Sequence, residues 1–354
     1  MKILYAVNKY DYGEPKRGLG YEYYNFYDTL IKMNNGNNKV KHFPPDEIAI
    51  KYGKERMNQK LLESVFEEEP DLVFFVIQKE TIKKEVIKEI TQKSGAITLN
   101  WFTDDHWQFN KYSKYWAFYF NWVTTTDAEA VKKYHKIGYK NVIKTQWACN
   151  HFIYKPLNLP RTYDVTFIGA AHGNRKKLIK KIKEEGIDIK CWGAGWPEGR
   201  ISQEDMLRIF SQSKININFT KSSGVIWKEL ASIFLHRDYN RSIRINNPKY
   251  WIDNFRSVPP SIWSKQIKGR NFEIPGCGGF LLTEYVNHLE DYYKIGEEID
   301  CFKNITELIK KIKYYLEHNE ERENMAKAGY ERTIREHTFE KRFNEIFKTI
   351  GLTK

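Results

Sequence analysis

The sequence has few of the features that mark several common protein classes. Only four of its 354 residues are cysteine, at positions 149, 191, 277 and 301, and none form a C-x-x-C pair. A disulfide framework or a zinc ribbon is therefore not expected, and the spacing suits reduced thiols in a cytoplasmic protein. No apolar run reaches the 18 or more residues of a membrane-spanning helix. Residues 1–7 are too short an apolar stretch for a secretory signal.

Sequence motifs of several enzyme classes are also missing. G-x-x-x-x-G-K-[ST], G-x-S-x-G and H-E-x-x-H do not occur, and Gly18-Leu19-Gly20 lacks the third glycine of a dinucleotide fingerprint. The sequence therefore gives no support to a P-loop nucleotidase, an α/β-hydrolase or a zincin protease.

Positive charge is abundant. Lysine and arginine number 58 against 45 acidic residues, a net charge of +13, and aromatic residues make up 15% of the chain. Such a surface favours anionic partners, which include phosphates, acidic lipid headgroups and single-stranded nucleic acid stacked on aromatic rings. The lysines, however, are scattered over helix faces such as 176–183 and 310–313. This favours solvated faces over a continuous nucleic-acid stripe, so we expect no nucleic-acid partner.

Strand-like and helix-like segments alternate along the chain in two series. Buried strands are predicted at 2–7, 71–77, 96–102, 122–125 and 141–143, then at 164–169, 187–192, 215–219 and 279–283. Continuous apolar strands separated by amphipathic helices indicate parallel sheets covered on both faces. The predicted fold is α/β, with two Rossmann-like parallel-sheet domains that face a cleft.

The predicted domain boundaries follow breaks in this pattern. An N-terminal Rossmann-like domain covers residues 1–150, and a linker with Pro156 and Pro160 covers 151–161. The C-terminal domain covers 162–335 and contains an irregular insertion at 222–262. The last helix, 336–354, carries an apolar stripe and is expected to cross back onto the N-terminal domain.

The most informative stretch for chemistry is 266–285. Glu273, near the end of a predicted helix, could accept two hydrogen bonds from a vicinal diol such as a ribose. Gly278 and its neighbouring glycines let backbone approach a ligand. Arg270 lies one turn earlier and could pair with a phosphate. The alternative is that Arg270 and Glu273 simply pair with each other on an ordinary helix.

Several segments together carry a family resemblance. They are RNFEIPGCGGFLLTEY at 270–285, EIDCF at 298–302, NEER at 319–322, DVTFIG at 164–169, CWGAGW at 191–196 and NWFTDDHW at 100–107. They resemble CgeB-like proteins, spore-maturation-type members of the group 1 glycosyltransferases. The resemblance implies a GT-B fold, a nucleoside-diphosphate sugar as donor co-substrate and no cofactor. It implies that the N-terminal domain holds the acceptor. The identity of the acceptor stays open, and it could be a glycan, a protein or a lipid-linked molecule.

The resemblance also implies roles for individual residues. It implies a ribose contact for Glu273, backbone passage close to the donor at Gly169, Gly193 and Gly195, and cations for the diphosphate at Arg175 and Lys221. Ser264 could cap the next helix, whose N-terminal amides would then face a phosphate. Asp104-Asp105-His106 follows the buried strand predicted at 96–102 and should emerge at its cleft end, where Asp105 could accept a proton from the acceptor hydroxyl or His106 could bind the donor sugar. The alternative is an N-cap and turn after that strand. One position departs from the family pattern, because Lys265 stands where classical members carry a first glutamate. No D-x-D occurs, so we expect no metal site.

Two other functions stay open from the sequence. One is a nucleotide-sugar epimerase on the same architecture, and the less favoured one is a basic nucleic-acid-binding protein. The positive charge also predicts peripheral contact with an anionic membrane.

Overall fold

The computed structural model describes residues 1–77, 80–221, 226–237 and 242–353. The chain divides into two compact units. The first comprises Met1–Gln146, Ile226–Ser261 and Glu340–Lys354, and the second comprises Trp147–Val225 and Ile262–Phe339. No helix within the described ranges is both long enough and apolar enough to span a membrane.

The strands of the described residues alternate with helices in both units. In chain order the strands are β1 (Lys2–Ala6), β2 (Lys39–His42), β3 (Leu72–Phe75), β4 (Ile97–Phe102), β5 (Trp122–Thr125), β6 (Val142–Lys144), β7 (Tyr163–Ile168), β8 (Ile189–Trp192), β9 (Ser213–Asn218), β10 (Leu235–Arg237), β11 (Ile243–Ile245), β12 (Leu281–Glu284) and β13 (Asp300–Phe302).

The helices are, in the same order, α1 (Asp28–Lys32), α2 (Pro45–Tyr52), α3 (Lys54–Glu68), α4 (Lys84–Lys93), α5 (Asp105–Gln108), α6 (Ala128–Lys136), α7 (Arg175–Glu184), α8 (Gln203–Gln212), α9 (Ile226–Phe234), α10 (Trp251–Trp263), α11 (Arg270–Gly276), α12 (Ile305–Glu317), α13 (Asn319–Glu336) and α14 (Phe339–Thr349). A π-helical turn, Tyr23–Tyr27, leads into α1.

Each unit is built on a parallel sheet. The first sheet has the order β2-β1-β3-β4-β5-β6, and the second has the order β13-β12-β9-β7-β8. All the pairings within these two sheets are parallel. The predicted α/β class with two parallel-sheet units is therefore confirmed. The strand order reverses between β1 and β3 in the first sheet and between β7 and β9 in the second, and such switch points are where open α/β sheets bind ligands.

The apolar stripe of α14 is buried. Phe343, fully enclosed, makes edge-on contacts with Phe26, Phe74 and Trp101 at ring-centroid distances of 5.6, 5.7 and 6.2 Å. These rings belong to the first unit, with which residues 340–354 group. Burying a phenylalanine side chain of this kind contributes about 1.5–3 kcal/mol to stability.

Two sequence predictions need correction. Residues 222–262 were expected to be an irregular insertion in the C-terminal domain, but their described part forms α9, β10, β11 and α10, and residues 226–261 group with the first unit. Asp253 joins this segment to the first unit, because its carboxylate lies 2.8 Å from Lys114 Nζ and accepts a hydrogen bond from the Tyr115 hydroxyl.

The second correction concerns the helix expected to start at Ser264. Helix α11 begins at Arg270, with Gly269 as its N-cap residue, and residues 264–269 are not helical. Ser264 therefore does not cap the helix that follows it, and it comes directly after the last residue of α10. The segment 265–266 instead pairs with 220–221, through a bridge between Lys221 and Lys265 and a 3.2 Å hydrogen bond from Gln266 N to Thr220 O. This pairing competes with helix formation for the same backbone groups.

Candidate functional site

The switch point of the second sheet is spanned by Arg175, the first residue of α7. Its guanidinium donates to the carbonyl of Ala170, which follows β7, at 3.0 Å and to the carbonyl of Phe219, which follows β9, at 3.3 Å. The guanidinium carbon also lies 5.4 Å from the centre of the Phe167 ring. Arg175 therefore connects the carboxyl ends of the two strands between which the strand order reverses.

A small cavity of about 30 Å³ lies beside Arg175. Its lining includes Lys221, His172 and Glu284, so the structure brings together Arg175 and Lys221, the two cations predicted to contact the diphosphate. Burial lowers the pKa of Arg175 to about 10, and the guanidinium stays charged at neutral pH. Desolvation and the neighbouring Arg175 lower the pKa of His172 to about 4, so His172 is neutral there. The volume is close to the room taken by one water molecule.

Glu284, the last residue of β12, binds backbone and side-chain groups at this edge of the sheet, and the sequence analysis did not predict it. One carboxylate oxygen accepts from the backbone N–H groups of Thr220 and Lys221, both at 3.1 Å. The other lies 3.0 Å from Lys265 Nζ. The residue that departs from the family pattern is thus held by Glu284. A carboxylate directly after a buried strand was the available signal, the same one that drew attention to Asp104 and Asp105.

The glycines of the loops after β7 and β8 allow the backbones of these two loops to lie in close contact. A Cβ on Gly193 would come within 2.4 Å of the Gly169 carbonyl oxygen, and the φ of Gly193 is +132°. A hydrogen bond of 2.8 Å from Gly169 N to Trp192 O joins the same two loops. Gly195, at φ +89°, belongs to this turn as well. These residues therefore already have a structural role, in packing one loop on the other.

Glu273 lies in a different environment from the one expected for an open site. Its side chain is completely buried on α11, where one oxygen accepts from the Tyr154 hydroxyl at 3.0 Å and the other pairs with Arg270. Gly278, at φ +66°, follows the end of this helix. The pairing of Arg270 with Glu273, the alternative weighed from the sequence, is present, but in the interior.

This pairing limits what Glu273 can do unaided. Removing one partner of a buried ion pair typically costs about 3–5 kcal/mol, so Glu273 helps to hold α11 in place. A carboxylate can accept about four hydrogen bonds, and two of its acceptor positions are used here. A ribose could therefore still bind, but only after a side chain that covers Glu273 moves.

Asp105, in the first unit, is also fully buried. One carboxylate oxygen accepts from the Tyr134 hydroxyl at 2.9 Å, and the other is buried without a hydrogen-bond partner among the described residues. Burial raises the pKa of Asp105 to about 6. The hydrogen bond to Tyr134 ties α5 to α6, and the complete burial of Asp105 does not suit direct contact with an acceptor. His106, the next residue, is half-buried.

Glu22 is the carboxylate that sequence reasoning missed in the first unit. It lies at the start of the helix that follows the loop after β1, at the switch point of the first sheet. Burial, reinforced by the negative charges of Asp11 and Asp104, raises the pKa of Glu22 to about 7. Tyr12, 62% exposed, is close enough for its pKa to be affected by the same three carboxylates. No local sequence pattern predicts that Glu22, Asp11, Tyr12 and Asp104 come close together, because they follow two different strands, β1 and β4.

Metal ligands are not clustered in the part of the chain that the structure describes, where no group of three or more His, Cys, Asp or Glu side chains could hold an ion.

Comparison with known proteins gives a consistent relationship. Residues 175–348 match a family model described as glycosyl transferase-like. A relative among curated proteins, spore protein CgeB of Bacillus subtilis (strain 168), is 22% identical over 222 residues, which are 62% of this chain and 64% of that protein. The match thus spans less than two thirds of the relative's length.

Solved structures share the fold over the whole chain. Sucrose-phosphate synthase from Thermosynechococcus elongatus superposes with a TM-score of 0.62 at 10% identity, covering 99% of each chain. HepE from Anabaena, solved with UDP and glucose, gives 0.57 at 11% identity and 100% coverage of both chains. The lipopolysaccharide outer core galactosyltransferase WaaB gives 0.55 at 12% identity, covering 99% of this chain and all of WaaB. The predicted GT-B fold is confirmed.

Proposed function

We propose that this chain, whose residues 175–348 match a glycosyl transferase-like family model and whose fold is GT-B, transfers a sugar from a nucleoside-diphosphate sugar to a hydroxyl group of an acceptor. The acceptor belongs to one of three classes: a glycan, a protein or a lipid-linked molecule. No cofactor is needed beyond the donor itself. The four cysteines are buried and unpaired, which supports a reducing, cytoplasmic setting.

The observation that carries this proposal is the position of Arg175. A side chain that joins the loops after β7 and β9 has a fixed guanidinium at the switch point, where a parallel sheet binds its ligand. Lys221 lines the same cavity and adds a second cation. Cations fixed in advance are what the departure of a diphosphate requires, because negative charge develops on the leaving group. HepE, a protein of the same fold, was solved with UDP-glucose.

The remaining donor contacts follow from the same edge of the sheet. The loops that contain Gly169, Gly193 and Gly195 supply backbone near the nucleotide, and Gly278 supplies it beyond α11. Glu273 contacts the ribose once a covering side chain has moved, and Arg270, which is 28% exposed, is the partner best placed to move. His106 is retained as a contact of the donor sugar.

We assign Glu22 as the general base that accepts the proton of the acceptor hydroxyl. The acceptor oxygen forms a bond to the anomeric carbon, the bond to the diphosphate breaks, and the acceptor proton passes to the Glu22 carboxylate. A base with a pKa near the working pH is the most effective for such a step. Asp105, which the sequence suggested for this role, is fully buried against Tyr134, and we therefore assign the role to Glu22 instead.

A thermal-shift panel of nucleoside diphosphates and their sugars tests the donor assignment. A ligand at 100 times its Kd stabilises the native state by about 2.7 kcal/mol. We therefore expect at least one nucleoside diphosphate to raise the melting temperature by several degrees, with the matching nucleoside as an inactive control. Stabilisation by short nucleic acids and by no nucleoside diphosphate would contradict the proposal.

Metal dependence gives a second prediction. Since no D-x-D motif is present and the cationic side chains supply the neutralising charge, we expect transfer to continue at an unchanged rate in excess EDTA. Product formation should be measured with EDTA alone and with EDTA plus surplus Mg²⁺ or Mn²⁺. Complete loss of activity that either metal restores would refute metal independence. Conversion of the donor with no acceptor present would instead indicate an epimerase.

A further inference from the structure

Large apolar side chains are exposed at high density in one segment of the first unit. We call Ile226–Arg237 together with residues 242–261 the apolar module. Its exposed members are Ile226, Trp227, Phe234, Leu235, Ile243, Ile245, Ile252 and Phe255. The exposed fractions reach 79% for Trp227 and 75% for Ile245. Single exposed apolar residues need no explanation, but a concentration of this kind marks an interaction surface.

Helix α10 has its polarity reversed relative to an ordinary surface helix. The buried positions include Asn254, Ser257 and Ser261, whereas Ile252 is 67% exposed and Phe255 is 60% exposed. A helix that only covered the core would place its apolar side chains inward. The outward face of α10 is therefore suited to a second apolar environment.

The β10–β11 hairpin presents a matching apolar face. Leu235 lies directly opposite Ile245, and Ile243 lies two residues from Ile245, so the alternation of a strand puts all three on the same side. Every described residue of β11 is exposed. A two-stranded hairpin cannot bury this face by itself.

The exposed apolar groups belong to an ordered framework. Trp251 Nε1 donates to the Asn246 carbonyl at 3.0 Å, and Asn246 Nδ2 donates to the Ser232 carbonyl at 2.9 Å. The rings of Phe234 and Trp251 lie 5.0 Å apart. Asp253 anchors the module through Lys114 and Tyr115. The apolar face is thus presented by folded structure.

Positive charge accompanies the apolar face. The described part of the module has four cationic side chains, Lys228, Arg244, Lys249 and Arg256, and two acidic ones, Glu229 and Asp253. Asp253 is paired with Lys114 and lies 3.6 Å from Arg256, and Lys111 lies near Glu229. Arg244 alternates with Ile243 and Ile245 and lies on the other side of the hairpin, so Lys228 and Lys249 are the cations available beside the apolar face. Aromatic and aliphatic side chains surrounded by lysine and arginine are the combination that binds an anionic membrane surface.

We propose that the apolar module docks this protein onto anionic bilayers. Trp227 and the Leu235–Ile243–Ile245 face enter the interfacial layer, and the surrounding cations contact the acidic headgroups. This goes beyond the proposed function, since it assigns a partner surface that the transfer reaction does not require. It also gives the membrane contact expected from net charge a defined location.

Vesicle flotation tests the assignment. Wild-type protein should float with vesicles of phosphatidylcholine containing about 30% phosphatidylglycerol, and much less with phosphatidylcholine alone. The variant Trp227→Ser/Ile243→Ser/Ile245→Ser should lose at least ten-fold in partitioning. A matched control, Ile50→Ser/Tyr52→Ser/Phe66→Ser, removes exposed apolar groups elsewhere on the first unit and should bind like wild type. Both variants should keep the thermal shift with nucleoside diphosphate.

Three results would overturn the proposal. The first is wild-type protein that fails to float with anionic vesicles, and the second is a module variant that floats as well as wild type. The third is light scattering that shows a wild-type dimer, made monomeric by the module variant, with no vesicle binding by either protein. The third result would assign the face to self-association. None of these results bears on donor binding, which the thermal shift measures separately.

Discussion

Arg175→Ala should lower turnover by about 10²–10³-fold, the usual effect of removing one group that stabilises charge developing in the transition state. The alanine variant loses the cation at the switch point and also both hydrogen bonds that join the loops after β7 and β9. The measurement is the initial rate of sugar transfer at saturating donor, with thermal unfolding to establish that the variant is folded.

Two further variants separate charge from geometry in this experiment. Arg175→Lys keeps the positive charge but replaces the planar guanidinium, which donates to the two carbonyls through separate nitrogens, by a single ammonium nitrogen, so we expect an intermediate rate. Lys176→Ala removes one charge from the adjacent, exposed residue and should leave the rate within two-fold of wild type. If Lys176→Ala slows transfer as much as Arg175→Ala, general surface charge rather than the switch-point guanidinium is responsible.

Glu22→Gln should depress turnover by about 10²–10⁴-fold, the range that a positioned general base contributes. Because burial and the charges of Asp11 and Asp104 raise the pKa of Glu22 to about 7, the wild-type rate should climb as pH rises through 7 and level off above it. The glutamine variant should lack this limb. Asp11→Asn removes a negative neighbour, which lowers the pKa of Glu22 and moves the limb to lower pH.

The same carboxyl group gives a readout independent of catalysis. A carboxyl whose pKa is raised on folding binds its proton more tightly in the native state. Its contribution to stability is therefore fully present below the unfolded pKa, near 4.5, and is lost as pH rises to about 7. Melting temperatures measured across this window should fall less steeply for Glu22→Gln than for wild type. Parallel slopes, with a wild-type rate profile in the variant, would exclude Glu22 as the base.

Secondary structure was predictable wherever apolar periodicity determined burial. The run at 71–77 contains β3, and the stripe on the last helix is the buried face of α14. The same reasoning failed for α10, because Asn254, Ser257 and Ser261 face inward beside Val258, whereas Ile252 and Phe255 face outward. It failed again at Ser264, because residues 265–266 pair with 220–221 and α11 begins only at Arg270.

The candidate site was predictable to the extent that strand ends determine it. Arg175 and Lys221 follow buried strands of one parallel sheet, so their meeting at one edge follows from topology. The burial of Glu273 between Tyr154 and Arg270 could not be foreseen, because Tyr154 lies 119 residues away in the chain. The raised pKa of Glu22 likewise results from burial, with added effects of Asp11 and Asp104, and no pattern around residue 22 reveals that burial or the approach of Asp104.

The most direct test of the donor assignment is a calorimetric titration of the protein with the nucleoside diphosphate that stabilises it most. We expect binding at one site per chain, with an affinity at least ten-fold weaker for Arg175→Ala and unchanged for Lys176→Ala. Equal affinity of wild type and Arg175→Ala for that ligand would contradict the assignment of the switch point as the diphosphate site.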